Sequence, residues 1–150
     1  VRSKDSSEKI LLMPGYVVNI HDAINIDVDL FLPREYRLYY RHVITHTYKY
    51  QEEMEETIKI GQAYRCRLKG IQVSEYQRRH PHLIKAKKDL EKMVNRSNGW
   101  IVCRIYMADI YNRLLIDILD PITGENFADL LFHHYPVIFT KYEPPTSPNS

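Results

Sequence analysis

Cysteine is scarce in this chain: Cys66 and Cys103 are the only two among 150 residues. Neither has a Cys or His at metal-ligand spacing, which excludes a disulfide framework and a cysteine-built zinc site. Both lie in stretches of alternating apolar residues, so they read as buried thiols of a protein kept in a reducing, intracellular compartment, with an organelle or a virus as candidate settings. Long hydrophobic runs are also missing. No apolar stretch approaches the ~20 residues that a membrane span requires, so membrane insertion is not expected. Charge of one sign is lacking as well: 21 Lys and Arg face 19 Asp and Glu, a net +2, so only a local patch could favour nucleic acid. No internal repeat is visible.

A packed core is nonetheless encoded. Hydrophobic residues make up 44% and charged residues 27%, and a chain of this length buries roughly two-thirds of its unfolded surface as one domain. Tyrosine supplies 12 of the aromatics, against 4 Phe and 1 Trp, which favours wet, half-buried surfaces. Residues 1–10 are polar and unpatterned, residues 1–14 form an N-terminal extension and residues 144–150 a Pro/Ser-rich tail, leaving 15–143 as the domain. From Gly15 the pattern is that of strands: Val17, Val18 and Ile20 close one run, and Ile24, Ile26, Val28 and Leu30 alternate with Asn25, Asp27 and Asp29 in a half-buried second. Tyr64 to Ile71, Trp100 to Tyr106 and Asn112 to Leu119 read as three more. Leu83, Ala86, Leu90, Met93 and Val94 recur at helical spacing, and Asn98-Gly99 stops that helix. Asn126 to His134 is a second, shorter helix, ended by Pro136. The expected class is α+β, mainly β: a five-stranded OB-type barrel with a helix between strands three and four.

Three segments carry a family resemblance. Gly15-Tyr16-Val17-Val18-Asn19-Ile20-His21-Asp22-Ala23-Ile24-Asn25-Ile26-Asp27-Val28 resembles the opening strand pair of the staphylococcal nuclease (thermonuclease-like) family. Arg67-Leu68-Lys69-Gly70-Ile71-Gln72-Val73-Ser74-Glu75 resembles its R-L-x-G-I-D-x-P-E segment, and Asp109-Ile110-Tyr111-Asn112-Arg113-Leu114-Leu115 its D-x-Y-G-R-x-L turn. The resemblance implies phosphodiester chemistry, in which two arginines hold the phosphate and a glutamate acts on the attacking water. Arg67, Arg113 and Glu75 match those positions. Guanidinium forks suit the charge that gathers on phosphoryl oxygens.

The family's calcium carboxylates are not matched. Ile24 and Gln72 stand at the two positions, and an isoleucine cannot coordinate a hard cation. No metal and no cofactor are therefore expected, and calcium-dependent cleavage should be lost. In an alternative register, slid by two residues, Asp22 takes the calcium position. The implied function is a thermonuclease-like domain that has lost nuclease activity and serves as a protein-binding or structural module, with a residual phosphate site at Arg67 and Arg113. The alternative is an active DNA or RNA phosphodiesterase using Arg67, Glu75 and Arg113 with a shifted calcium site. Each arginine also has a plain reading as a structural ion pair or turn brace, and His80, His82, His133 and His134 read as solvated loop and helix-end residues.

Residues 33–62 form an insertion where the family has a tight turn. Tyr36, Leu38, Tyr40, His42, Ile44, His46, Tyr48 and Tyr50 alternate with Arg37, Tyr39, Arg41, Val43, Thr45, Thr47 and Lys49, predicting one arm of an extended ribbon, and Glu52, Glu53, Glu55 and Glu56 follow. Tyr36, Arg37, Tyr39, Tyr40, Arg41, Tyr48 and Tyr50 are the candidate partner-binding residues. Tyr and Arg suit protein interfaces, suit stacking on bases, and could equally pair with the acidic arm. Other chains of an assembly are the first candidate partners and nucleic acid the second.

Overall fold

The computed structural model describes residues 10–51, 58–73 and 79–142, with the side chains of residues 46, 48–51 and 58–60 left aside. Its strands are β1 (Leu11–Ile20), β2 (Asn25–Leu30), β3 (Ile44–Gln51), β4 (Ile58–Leu68), β5 (Ile71–Val73), β6 (Trp100–Ala108), β7 (Leu114–Leu119) and β8 (Phe139–Lys141). Its helices are α1 (Arg34–Tyr39), α2 (His82–Asn95) and α3 (Phe127–His134), with a 3-10 turn at Arg41–Val43. The class is α+β and mainly β, as the alternation predicts. One six-stranded sheet runs β2-β1-β6-β7-β4-β3, and an added β2–β4 pairing joins its strands into a ring, with β3 attached to β4 alone. All pairs in this sheet are antiparallel except β4 with β7, which run parallel over Cys66–Leu68 and Leu114–Ile116.

The core follows the period-2 faces of these strands. Ile26, Val28 and Leu30 of β2 meet Tyr64, Cys66 and Leu68 of β4, Ile101, Cys103 and Ile105 of β6 and Leu114, Ile116 and Ile118 of β7. Gly15 lets β1 approach this layer, because a Cβ there would lie 2.7 Å from Val28 Cγ1 and 2.9 Å from Cys103 Sγ. Helix α2 covers the core with Ala86, Leu90, Met93 and Val94, the stripe its spacing predicts. It ends through Asn98 and Gly99, both at positive φ, with Gly99 N–H donating to Val94 O. The shorter predicted helix is α3, capped by Asn126, whose side chain accepts from Ala128 N–H.

Four expectations need correction. β2 is buried on both faces rather than one: Asp27 and Asp29 are buried, and Asp27 accepts from Arg65 Nε at 2.6 Å and lies 2.8 Å from His21 Nε2. The first arm of the insertion is not extended as far as Val43. Pro33 O accepts from Tyr36 and Arg37 N–H, and Tyr36, Tyr40 and Val43 then turn inward at i, i+4, i+7, a helical period that overrides the alternation. Only Ile44–Gln51 is strand, antiparallel to the start of β4. The predicted third strand is divided as well: β4 ends at Leu68, Gly70 turns at φ +96, and β5 pairs with β8 in a second small sheet. Finally, β1 starts at Leu11, ahead of the Gly15 at which alternation becomes visible.

Two outcomes follow from this core. Gly15→Ala is expected to destabilise the fold by about 1–3 kcal/mol through overpacking, read as a shift of the denaturation midpoint; an unshifted midpoint would mean β1 does not approach Val28 this closely. Burial pushes the Cys103 thiol up to about 12, and burial, then the neighbouring Cys103, raises Cys66 well above the usual thiol value. The folded chain thus keeps protons that the unfolded chain releases. Stability should be intact below about pH 8.5 and fall above it by roughly 1.4 kcal/mol per unit for each thiol. Unfolding curves between about pH 8 and pH 10 that superimpose would contradict this.

Candidate functional site

The structure brings Arg67 and Arg113 together at the junction of β4 and β7. Arg67 is buried, donates through its two terminal nitrogens to Leu68 O at 3.1 Å and Ile71 O at 3.0 Å, and stacks 4.3 Å from the centre of the Tyr142 ring. Burial, then the charge of Arg113, lowers its pKa below the usual guanidinium value. Arg113 reaches Asp109 through Nε and a terminal nitrogen, both at 2.9 Å, and donates to Asn25 Oδ1 at 2.9 Å. Asp109 also caps its own turn, accepting from Tyr111 and Arg113 N–H. Arg67 thus ties β4 to β5, and Arg113 ties the β6–β7 turn to β2.

The other nuclease-type positions are arranged by turn geometry. Asp22 Oδ1 accepts from Ile24 N–H, Asn25 N–H and Asn25 Nδ2, and Oδ2 accepts from Asn25 Nδ2, so both oxygens close the β1–β2 turn. Glu75 lies outside the described residues. Among those described, no group of three or more His, Cys, Asp and Glu could hold a metal ion. The rings of His80 and His82 are 4.5 Å apart, and His82 packs against Tyr135, whose hydroxyl donates to Asp89. Of the insertion residues, Arg37, Tyr39 and Arg41 are exposed, Tyr36 is half-buried, and Tyr40 is core. Tyr40 is therefore withdrawn as a partner-binding residue. The side chains of Tyr48 and Tyr50 lie outside the described part of the structure.

A different region has the shape of a binding site. An open groove of about 370 Å³ lies between the second half of β1 and helix α2, lined by Tyr16 to Ile20, Lys87, Glu91, Val94, Asn95, Asn98 and Gly99. Tyr16, one of these lining residues, meets its cross-strand partner Trp100 of β6 edge to face, with centroids 5.4 Å apart and planes at 68°. Both are large apolar surfaces in water, 40% and 45% exposed. Local chain geometry explains the pose. The positive-φ turn at Gly99 brings its Cα under the Tyr16 ring, where any Cβ would stand 2.8 Å from Cε1, and Gly99 O accepts from Val17 N–H. Leu12 and Val18, on the same outward face of β1, extend the exposed apolar track. The site has a sequence signal that motif matching misses: the single Trp follows the helix stop directly, and β1 carries large apolar residues on both faces.

No family model matches the sequence, and no curated protein matches it. Among solved structures the chain is similar to extended Tudor domain TD3 of mouse TDRD1, solved with a MILI peptide containing dimethylarginine. That match has a TM-score of 0.53 at 8% identity and covers 89% of this chain and 94% of that one. It is similar also to the extended Tudor domain of human TDRD1, solved with a symmetrically dimethylated peptide, with a TM-score of 0.52 at 13% identity, covering 89% and 98%. These likenesses correct the expectation of a thermonuclease-like chain, whether active or degenerate. The motifs behind that expectation are short turn signals: Asp22 and Asp109 close turns, and Gly70 and Asn112 supply positive φ. Such signals recur wherever the same turns do. The fold is that of the extended Tudor domains.

Proposed function

We propose that this chain is a protein-interaction module that takes a peptide through a methylated arginine. The reading is carried by one observation: the exposed Tyr16–Trp100 pair, of which Tyr16 lines the same groove as Glu91. A methylated guanidinium keeps its charge but loses donors for a bidentate carboxylate pair, so aromatic faces become its natural partners and an acid need only lie nearby. Asn19, Asn95 and Asn98 offer amides to the peptide backbone. The extended Tudor neighbours, solved with dimethylated peptides, support the same ligand class. We read the ring β1-β2-β4-β7-β6, with its parallel β4–β7 contact, as an OB-type barrel presenting this groove on its outer wall. The site needs no cofactor. No described helix is long and apolar enough to cross a membrane, and two free, buried cysteines support a reducing, intracellular setting.

Trp100 is the only tryptophan, so its fluorescence reports on the site directly. Titration with a peptide carrying symmetric dimethylarginine is expected to saturate, more weakly with arginine and not at all with glutamine at that position. Tyr16→Ala should weaken binding about fivefold, the loss of one cation–π contact of roughly 1 kcal/mol; Trp100→Ala, followed by calorimetry, should do the same. Equal affinity for the dimethylarginine and glutamine peptides would refute the proposal.

A further inference from the structure

Helix α2 presents a second feature that the groove does not absorb. Lys85, Lys88, Lys92 and Arg96 are all exposed. Their spacing of three, four and four residues stacks them in a single row about 16 Å long. The groove-lining residues Lys87, Glu91 and Asn95 form the neighbouring row, since each precedes a member of the basic row by one residue, about 100° around the helix. None of the four cations makes an ion pair among the described residues. Asp89, the acid nearest the row on the helix surface, is engaged by the Tyr135 hydroxyl, and Glu91 belongs to the groove. Four cations thus face these two carboxylates, and the row stands as net positive charge along one bank of the site.

That charge bears on what the groove selects. A ligand entering by a cationic side chain brings positive charge towards a basic bank, and every further arginine or lysine on it adds repulsion. A ligand carrying carboxylates beside its arginine converts the same bank into attraction. Resting on the groove as the peptide site, we infer that the preferred partner is a peptide whose methylated arginine is flanked on one side by Asp and Glu, and that the Lys85–Lys88–Lys92–Arg96 row reads this acidic flank. Such contacts are exposed. They contribute discrimination and salt dependence more than affinity.

The experiment uses the whole chain and three dimethylarginine peptides, flanked by Asp and Glu, by Gly and Ser, or by Arg and Lys, followed by Trp100 fluorescence. The acidic flank is expected to bind about fivefold more tightly than the neutral one at low salt and the basic flank more weakly, with the difference vanishing at about 0.5 M salt. A variant with Lys85→Gln, Lys88→Gln and Lys92→Gln should lose the preference and keep binding the neutral peptide, and the same three changed to Glu should turn the preference towards the basic flank. A preference that survives reversal in folded protein overturns the inference while leaving the groove intact. A fourth peptide, acidic but with glutamine in place of arginine, separates the two failures: if it binds as tightly as the acidic dimethylarginine peptide, in a salt-dependent, Lys-dependent manner, while the neutral dimethylarginine peptide does not bind, the groove reading falls and the acidic-ligand row stands. Tighter binding of a single-stranded oligonucleotide than of the acidic peptide would overturn the assignment of the row to a peptide.

Discussion

Strand β4 is the member on which the rest of the fold depends. It pairs with β2 along one edge, and along the other first with β3 and then, in parallel, with β7. The parallel contact is short, three residue pairs, and a parallel ladder is the weaker kind. Neighbouring contacts reinforce it: Leu68 N–H donates to Ile24 O, Lys69 N–H to Ile116 O, and the Arg67 guanidinium binds the Leu68 and Ile71 carbonyls. Without this junction the β2–β4 and β4–β7 contacts could not hold together, and the ring of strands would open into a sheet with two free edges.

This explains why Arg67 and Arg113 look like functional residues in sequence and act as braces in structure. Each is a long cation placed where several backbone segments converge. A guanidinium with five donors in a fixed plane can satisfy more of those segments than any other side chain. Burying Arg67 carries a desolvation penalty, visible in its lowered pKa, and its carbonyl partners and the Tyr142 face offset that penalty locally. The same residue types in the same order would serve a phosphate equally well, so sequence alone could not tell the two uses apart.

The groove arises from the opposite circumstance, a place where packing stops short. Helix α2 covers β1 only as far as its Asn98-Gly99 stop, and beyond it Tyr16 and Trp100 have each other and water. Exposed aromatic surface beside polar amides and a carboxylate is the composition of a recognition site rather than of a core. It also lies on a strand and a 14-residue helix, so its surface is already in place on regular elements.

The residue pattern by itself determined the mainly-β class, the strands carrying Ile26, Val28 and Leu30, the helix carrying Ala86, Leu90 and Met93, its stop at Gly99 and the buried state of both thiols. These follow from period, turn chemistry and polarity, which are local properties. Tertiary structure decided the remainder. Tyr36 and Tyr40 satisfy a helical and an alternating period at once, Val43 falls in with them on the helical period alone, and only a core within reach of them selects the helix. Asp27 reads as an outward residue until Arg65 and His21 close over it. Tyr16 and Trp100 meet across 84 positions of sequence, and no local pattern relates residues so far apart: their contact exists because β1 and β6 pair, and pairing between distant strands is set by the whole core rather than by either strand.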